Sequence, residues 1–161
     1  MACTLRAATD EDIEELRRWF ANAADVDRWG GPKFRFPFTE ETFASDCCLD
    51  IMKSFSLADS ASAMVAFGQF YYRQGRGHLA RLITRPDMRR RGYGGQLIEK
   101  LIGEVSAEGK ATEVSLFVYR HNQTAYRCYR SLGFRVQDYP DDAPLKGQCY
   151  FLTRPIELNT P

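Results

Sequence analysis

Five sequence patterns that follow one another between residues 78 and 134 constrain the fold more than any other feature of the chain. The stretch HLARLIT, residues 78–84, is typical of a strand, and a glycine-rich turn follows it at residues 89–95. A helix, the strand Glu113–Tyr119 and a second helix come next. Such an alternation predicts an α/β or α+β domain in which part of the central sheet is parallel.

The two helices in this stretch carry clear signals at their ends. The first has an apolar stripe at helical spacing and ends near Gly109, which suits a left-handed C-terminal cap. The second follows Asn122, a good N-cap residue, covers Gln123–Ser131 and is closed by Gly133. The stripe of the first helix consists of Leu97, Ile98, Leu101, Ile102 and Val105.

The first half of the chain gives weaker signals. Cys3–Ala7 is a strand candidate, and a capping box opens a helix over Thr9–Phe20. The segment Arg28–Phe38 contains two prolines and two glycines and therefore predicts a loop. Thr39 caps a second helix that we expect to run to about Ser54. Three further strands are predicted at Phe55–Ala58, Ala63–Tyr72 and Cys149–Thr153.

The composition is that of an ordinary globular protein, with 44% hydrophobic and 27% charged residues. A length of 161 residues predicts one domain over residues 1–161. A net charge of +1 gives no overall field toward nucleic acid or membrane, so we expect neither as a partner. Neither a signal peptide nor a transmembrane stretch is recognisable, which predicts a cytoplasmic protein.

The cysteines are odd in number and lack the spacing of metal ligands. We expect reduced, partly buried thiols and no bound metal. The five residues are Cys3, Cys47, Cys48, Cys128 and Cys149.

The turn RRRGYGG, residues 89–95, has the physical properties of an anion site. A glycine-rich turn before a helix exposes unpaired backbone N–H groups at the positive end of the helix dipole. Gly92 and Gly94 permit close approach of the backbone, and the arginines add charge. Gln96 excludes a P-loop, and Leu97 stands where the dinucleotide fingerprint requires its third glycine. The alternative is a surface turn with solvated arginines.

Two blocks of sequence resemble the GNAT acetyltransferases. The stretch RPDMRRRGYGGQLI, residues 85–98, closely resembles the loop with which these enzymes bind the pyrophosphate of acyl-CoA. The stretch FVYRHNQTAYRCYRSLGF, residues 117–134, carries Asn122, Tyr129 and Gly133-Phe134 at the family's spacing. The resemblance extends over about residues 64–137. It implies a mixed central sheet of six or seven strands, splayed between strands 4 and 5 and flanked by about four helices.

The resemblance also implies acetyl-CoA as cosubstrate. The pyrophosphate would be bound by Arg89, Arg90, Arg91, Gly92, Tyr93, Gly94 and Gly95. Backbone groups of Leu82, Ile83 and Thr84 would bind the pantetheine arm like an added strand, and one N–H there would polarise the thioester carbonyl. Asn122 would hydrogen-bond the arm, or it serves only as the helix N-cap.

Tyr129 is the general acid that the resemblance implies, since it would protonate the departing CoA thiolate. The alternative is a core aromatic on the apolar face of its helix, and Tyr126 is the nearest rival for the acid role. Phe117 occupies a position where many relatives carry a glutamate that acts as the general base. His78 lies where another branch carries one, which makes it a candidate base. A solvated histidine at the start of a strand is the alternative, and the base would then be a water chain or a carboxylate from the N-terminal half.

The resemblance implies an N-acetyltransferase that acts on a primary amine of a small molecule or peptide by direct attack in a ternary complex. Candidate acceptor-binding residues are Asp25, Asp27, Trp29 and Phe34, in a segment rich in aromatic and acidic side chains. A non-catalytic acyl-CoA-binding regulatory module is the alternative function. Relatives often pair through exposed strand edges, and the apolar strand Cys149–Thr153 therefore suggests a homodimer.

Overall fold

The computed structural model describes residues 2–157. Met1 and residues 158–161, the ends of the predicted domain, lie outside the described residues, and one domain over residues 1–161 stays a prediction. The strands are Thr4–Ala7 (β1), Lys53–Ala58 (β2), Met64–Arg73 (β3), Arg76–Thr84 (β4), Glu113–Tyr119 (β5), Arg135–Gln137 (β6) and Cys149–Pro155 (β7). The α-helices are Asp10–Arg17 (α1), Ala23–Gly30 (α2), Glu40–Asp46 (α3), Tyr93–Glu108 (α4) and Gln123–Ser131 (α5).

Within the described range, hydrogen bonds join seven strands in the order β1-β2-β3-β4-β5-β7-β6. The pairs β1–β2, β2–β3, β5–β7 and β6–β7 are antiparallel. The pair β4–β5 is parallel, with Gly77 opposite Val114 and His78 opposite Ser115. This short parallel register at the start of both strands agrees with the predicted splay. The mixed sheet and its helices confirm the predicted fold class.

Three elements in the second half of the chain, α4, β5 and α5, fold as the sequence predicts. β5 and α5 have the expected bounds, and α4 ends at Glu108, one residue before Gly109. Gly109 and Gly133 both have left-handed backbone, with φ of +67° and +93°. The five stripe residues of α4 are all buried. Local periodicity and caps therefore suffice to predict these elements.

The region before β2 differs from the prediction. Ala23–Gly30 is a helix that the sequence analysis missed, and it overlaps the start of the predicted loop Arg28–Phe38. Its N-cap is Asn22, whose side chain accepts a hydrogen bond from the Asp25 N–H at 2.9 Å. The described residues thus contain five α-helices, where about four were expected.

The helix after Thr39 is shorter than predicted. Thr39 caps it as expected, but α3 ends at Asp46 and the expected end at Ser54 is wrong, because Ser54 belongs to β2. Cys48 has a φ of +53°, so the chain turns out of the helical conformation there. The hydrophobic spacing alone did not reveal this turn.

The strand suggested for pairing between copies, Cys149–Thr153, is not an open edge along its last three residues. β7 pairs with β5 over Cys149–Pro155, and β6 pairs with Phe151–Thr153 from the other side. The short strand β6 was not predicted, since its pairing is decided by residues far along the chain. The homodimer itself stays a prediction, without this edge to support it.

The described residues form two compact units, residues 2–70 with 81–100 and residues 71–80 with 101–157. The first unit has an aromatic-rich core, which consists of Ile13, Leu16, Trp19, Phe20, Val26, Phe34, Phe43, Cys47, Met64 and Phe67. In the second unit, Val114, Leu116, Phe134, Phe151 and Leu152 are buried. None of the helices in residues 2–157 combines the length and the apolarity needed to cross a bilayer.

Candidate functional site

The loop before α4 has the backbone of an anion site. Arg90 and Gly92 are left-handed, with φ of +67° and +83°, and lie on either side of Arg91. Successive N–H groups in turns of this kind form concave anion sites, and the N-terminus of α4 adds its dipole. A Cβ on Gly94 would lie 3.5 Å from Thr84 Oγ1, so the first turn of α4 passes close to the end of β4.

The three arginines of this loop are available for a ligand. Arg89, Arg90 and Arg91 are exposed, and no ion pair in the part of the chain that the structure describes includes any of them. The neighbouring Arg85 differs, since its Nε lies 2.8 Å from Asp87 Oδ1. The arrangement concentrates unpaired positive charge beside exposed backbone donors.

The strand that precedes this loop is interrupted at Arg81. Its φ of +50° is left-handed, a conformation that residues other than glycine rarely adopt within a strand. Leu82, Ile83 and Thr84, the predicted pantetheine-binding residues, follow directly and are half-buried. Irregularities of this kind bend a strand and re-aim the groups that follow, and they are frequent next to active sites.

Arg81 is held at its side chain and at its carbonyl group. The guanidinium Nη1 lies 3.0 Å from Gln69 Oε1, and Nη2 lies 3.0 Å from the Asp46 carbonyl oxygen at the end of α3. The Arg81 carbonyl accepts a hydrogen bond of 2.8 Å from Trp29 Nε1. Sequence analysis missed Arg81 as a functional candidate, although a charged residue inside the apolar run HLARLIT was a signal.

The predicted acceptor-binding residues separate into two groups. Trp29 and Phe34 belong to an aromatic cluster, with their ring centroids 5.4 Å apart and Phe43 stacked 5.9 Å from Trp29. Asp27 is exposed on α2, and Asp25 pairs with Arg28 at 3.4 Å. Phe34 is buried and has a packing role in this cluster. Acceptor binding by these residues stays a prediction.

In the second unit, His78 is buried rather than solvated. Its side chain is 3% exposed, its Nδ1 lies 2.8 Å from Ser115 Oγ, and its ring lies 4.7 Å from that of Phe117. Burial, reinforced by the positive charge of Arg73, lowers the pKa of His78 to about 3. The imidazole is therefore neutral at physiological pH and accepts a proton weakly. Ser115 was not singled out by sequence analysis.

Tyr129 and Asn122 both lie at α5. Burial raises the pKa of Tyr129 above its usual value, so its phenol keeps its proton at neutral pH. Its ring centroid lies 6.2 Å from that of Phe134. Asn122 is the N-cap of α5, with its Oδ1 3.4 Å from the Ala125 backbone nitrogen. The cap that the sequence suggested is therefore formed.

Comparison with known protein families shows to which family the chain belongs. The model of the acetyltransferase (GNAT) family matches residues 13–134, more than half of the chain. The chain belongs to the GNAT acetyltransferase family. The match includes both blocks on which the sequence resemblance rested, the loop 85–98 and the segment 117–134.

Solved structures of other proteins share the fold of this chain. The chain is similar to AAC(6')-Ib in complex with ribostamycin and coenzyme A, with 18% identity, a TM-score of 0.76 and coverage of 96% of this chain and 94% of that one. The spermidine N-acetyltransferase from Vibrio cholerae, in complex with CoA and spermine, gives 16% identity, a TM-score of 0.72 and coverage of 96% and 95%. The ribosomal-protein-S18-alanine N-acetyltransferase from Escherichia coli gives 23% identity and a TM-score of 0.66, with coverage of 99% of this chain and 97% of that one.

The cysteines and other metal-ligating side chains of residues 2–157 do not cluster into a metal site. All five cysteines are free thiols, with Cys3, Cys47 and Cys149 buried. Among residues 2–157, no group of three or more His, Cys, Asp or Glu side chains has a geometry that would hold a metal ion.

Proposed function

We propose that the protein is an acetyl-CoA-dependent N-acetyltransferase whose acceptor is a primary amine of a small molecule or peptide. The observation that carries the proposal is the loop of residues 89–95, which follows β4 and opens α4 in a chain of the GNAT family. Left-handed Arg90 and Gly92 and the unpaired arginines fit a pyrophosphate. Structures of similar fold were solved with CoA bound, which supports the same cosubstrate here.

The half-buried segment Leu82–Thr84 would bind the pantetheine arm through its backbone. A backbone N–H aimed at the thioester oxygen would stabilise the oxyanion that forms when the amine attacks the carbonyl carbon. The C–S bond then breaks, the amide forms, and CoA leaves as a thiolate. Because the amine attacks the acetyl group directly, no cysteine has to carry it.

Tyr129 would protonate this thiolate. The phenol holds its proton at neutral pH, but its raised pKa makes it a weaker donor, so the transfer to the thiolate depends on the position of the hydroxyl group. Asn122 would donate to the pantetheine arm through its side-chain amide nitrogen, since its oxygen already caps α5.

Removal of the amine proton is the demanding step for this site. An amine with a pKa near 10.4 costs roughly 4–5 kcal/mol to deprotonate at pH 7. His78 stays a predicted base, but a pKa of about 3 makes its imidazole a weak acceptor for this proton. A chain of water molecules or a carboxylate of the N-terminal half is the competing route. His78→Ala tests the choice: loss of turnover with normal CoA affinity would support the imidazole.

The first experiment is acetyl-CoA-dependent thiol release by the purified protein. The acceptor panel contains polyamines, aminoglycosides, amino acids, and peptides that offer a lysine or an N-terminal amine. Turnover with one class supports the proposal and names the acceptor. Failure to bind acetyl-CoA in calorimetry would overturn it.

Substitution of Tyr129 separates the enzyme from the alternative, a regulatory module that only binds acyl-CoA. For the enzyme, Tyr129→Phe should lower kcat about 100-fold or more with little change in CoA affinity, because it removes the proton donor alone. Tyr126→Phe is the matched control, and we expect it to retain activity within about twofold. A wild-type protein that binds acetyl-CoA but acetylates no amine of the panel would favour the module.

A further inference from the structure

We infer that Trp29 and Arg81 are positioning residues, which together fix the backbone path of Leu82–Thr84. The inference rests on the proposed function for the role of that segment in acetyl-CoA binding. It assigns to Trp29 a different part from acceptor binding, namely a hydrogen bond to the strand itself.

The backbone of Arg81 has an unusual conformation that other residues have to hold in place. Arg81 has a φ of +50° within β4, where an extended backbone is the norm. A residue with a Cβ does not stay in this region unless its surroundings determine it, and such residues concentrate at functional sites. The next three residues are those that would meet the thioester and the pantetheine arm.

A hydrogen bond from Trp29 holds the carbonyl group of Arg81. The indole Nε1 donates to the Arg81 carbonyl oxygen at 2.8 Å, across 52 residues of sequence. The indole ring itself is fixed, because Phe20 lies 4.7 Å from it and Phe43 stacks on it at 5.9 Å. A rigid donor therefore determines where the carbonyl group of the left-handed residue points.

The side chain of Arg81 is also held by hydrogen bonds. Its guanidinium donates to Gln69 Oε1 and to the Asp46 carbonyl oxygen, both at 3.0 Å. Gln69 is fully buried, and its Nε2 donates to the Cys47 carbonyl oxygen at 2.8 Å and to Ser54 Oγ at 2.9 Å. The guanidinium is thus hydrogen-bonded to the end of α3 and to β3. Arg81 is therefore held through its side chain as well as through its backbone carbonyl group.

The Nε–H group of Arg81 shows that this arrangement has a cost. Arg81 Nε is buried and has no hydrogen-bond partner in the described part of the chain. Most buried side-chain donors in proteins have a partner, so an exception calls for an explanation. Fixing the backbone of β4 gives the incomplete set of contacts a purpose.

The test compares the two tryptophans of the chain. Trp29→Phe removes the indole N–H and keeps an aromatic ring in the cluster. Trp19→Phe is the matched control, because Trp19 lies in the same core and its Nε1 donates to Glu15 at 3.3 Å, away from β4. Both variants are assayed where circular dichroism shows them folded, by CoA calorimetry and by steady-state kinetics.

We expect Trp29→Phe to weaken CoA binding or lower kcat by about tenfold or more, because small displacements of a binding segment have large kinetic effects. The KM for the acceptor should stay within about twofold, and Trp19→Phe should resemble the wild type. Equal behaviour of the two variants would overturn the inference alone. A raised acceptor KM as the only change would also overturn it and return Trp29 to the acceptor site. A wild-type protein that binds no CoA would overturn the proposed function, and this inference with it.

The side-chain half of the inference has its own pair of variants. Arg81→Lys keeps a charge but lacks the planar fork that reaches Gln69 and Asp46 together. Arg6→Lys is the control, since Arg6 also makes a forked contact, to Asp12, in the same unit. Loss of CoA affinity in Arg81→Lys alone supports the inference, and equal affinities in the two variants contradict it.

Discussion

His78 and Arg81, two residues of β4, are a buried and a half-buried polar side chain, and their surroundings accommodate them in different ways. His78 lies among aromatic rings with Ser115 as its hydrogen-bond partner, and burial keeps it neutral. Arg81 has a side chain that does not give up its charge in proteins, and its guanidinium donates to two oxygen acceptors instead. A group that can release its proton needs few partners, whereas one that cannot needs several.

The two environments also differ in what they do to the backbone. His78 belongs to the regular parallel register with β5, opposite Ser115. Arg81 departs from the strand conformation, and the contacts to its side chain and carbonyl hold that departure. The second environment is the one that we associate with function, because it determines the course of Leu82–Thr84.

Arg81→Met gives the largest effect expected from this comparison. The substitution leaves Gln69 Oε1 and the Asp46 carbonyl oxygen without their donor, and it keeps a Cβ at positive φ. We expect a loss of about 3 kcal/mol in the free energy of unfolding, measured by urea denaturation at constant m-value. Arg85→Met breaks only an exposed ion pair with Asp87 and should cost under about 1 kcal/mol. Similar losses in both variants would show that the acceptors around Arg81 are satisfied without it.

The pH dependence of stability tests the neutral state of His78. The unfolded chain protonates this imidazole below its ordinary pKa of 6.5, whereas the folded protein does so only near pH 3. Unfolding therefore takes up a proton between these values, and stability falls as the pH falls through this window. The fall between pH 6.5 and 5 should be about 2 kcal/mol.

His78→Gln should remove this component of the pH dependence, as measured by denaturation at a series of pH values. The exposed His121 is the matched control, and His121→Gln should leave the slope unchanged. A wild-type slope in His78→Gln would mean that other groups cause the acid sensitivity.

The smallest effect separates the backbone of Arg81 from its side chain. Arg81→Gly and Arg81→Ala lose the same guanidinium contacts, but only alanine retains a Cβ at φ of +50°. We expect the glycine variant to be the more stable by about 1 kcal/mol in thermal or urea unfolding. Ala80→Gly, one residue earlier, should instead destabilise by about 0.5–1 kcal/mol. If glycine is the less stable choice at residue 81 as well, the left-handed conformation is not a source of strain.

How far the sequence predicts the structure differs between the two halves of the chain. β5, α5 and most of α4 could be predicted because their signals are local: an apolar period, an N-cap at Asn122, and glycines at left-handed C-terminal positions. α2 was missed because the glycines and proline that follow Trp29 outweighed the cap at Asn22. β6 was missed because three residues pair only with a strand that comes later in the sequence.

The candidate site divides in the same way. The loop 89–95 and Tyr129 lie in recognisable motifs, so their identity and the family could be predicted from the sequence alone. The roles of His78 and Arg81 could not. Both depend on partners far away in the chain, Ser115 for the imidazole and Trp29 for the Arg81 carbonyl.

The sequence by itself determined the family, the order of most strands and helices, and the loop proposed for the pyrophosphate, because each follows from residues close together in the chain. Only the tertiary structure decided that the imidazole of His78 is buried and neutral and that Arg81 leaves the strand conformation. The physical reason is that charge state and backbone strain depend on desolvation and on hydrogen-bond partners, and folding brings both from distant parts of the sequence.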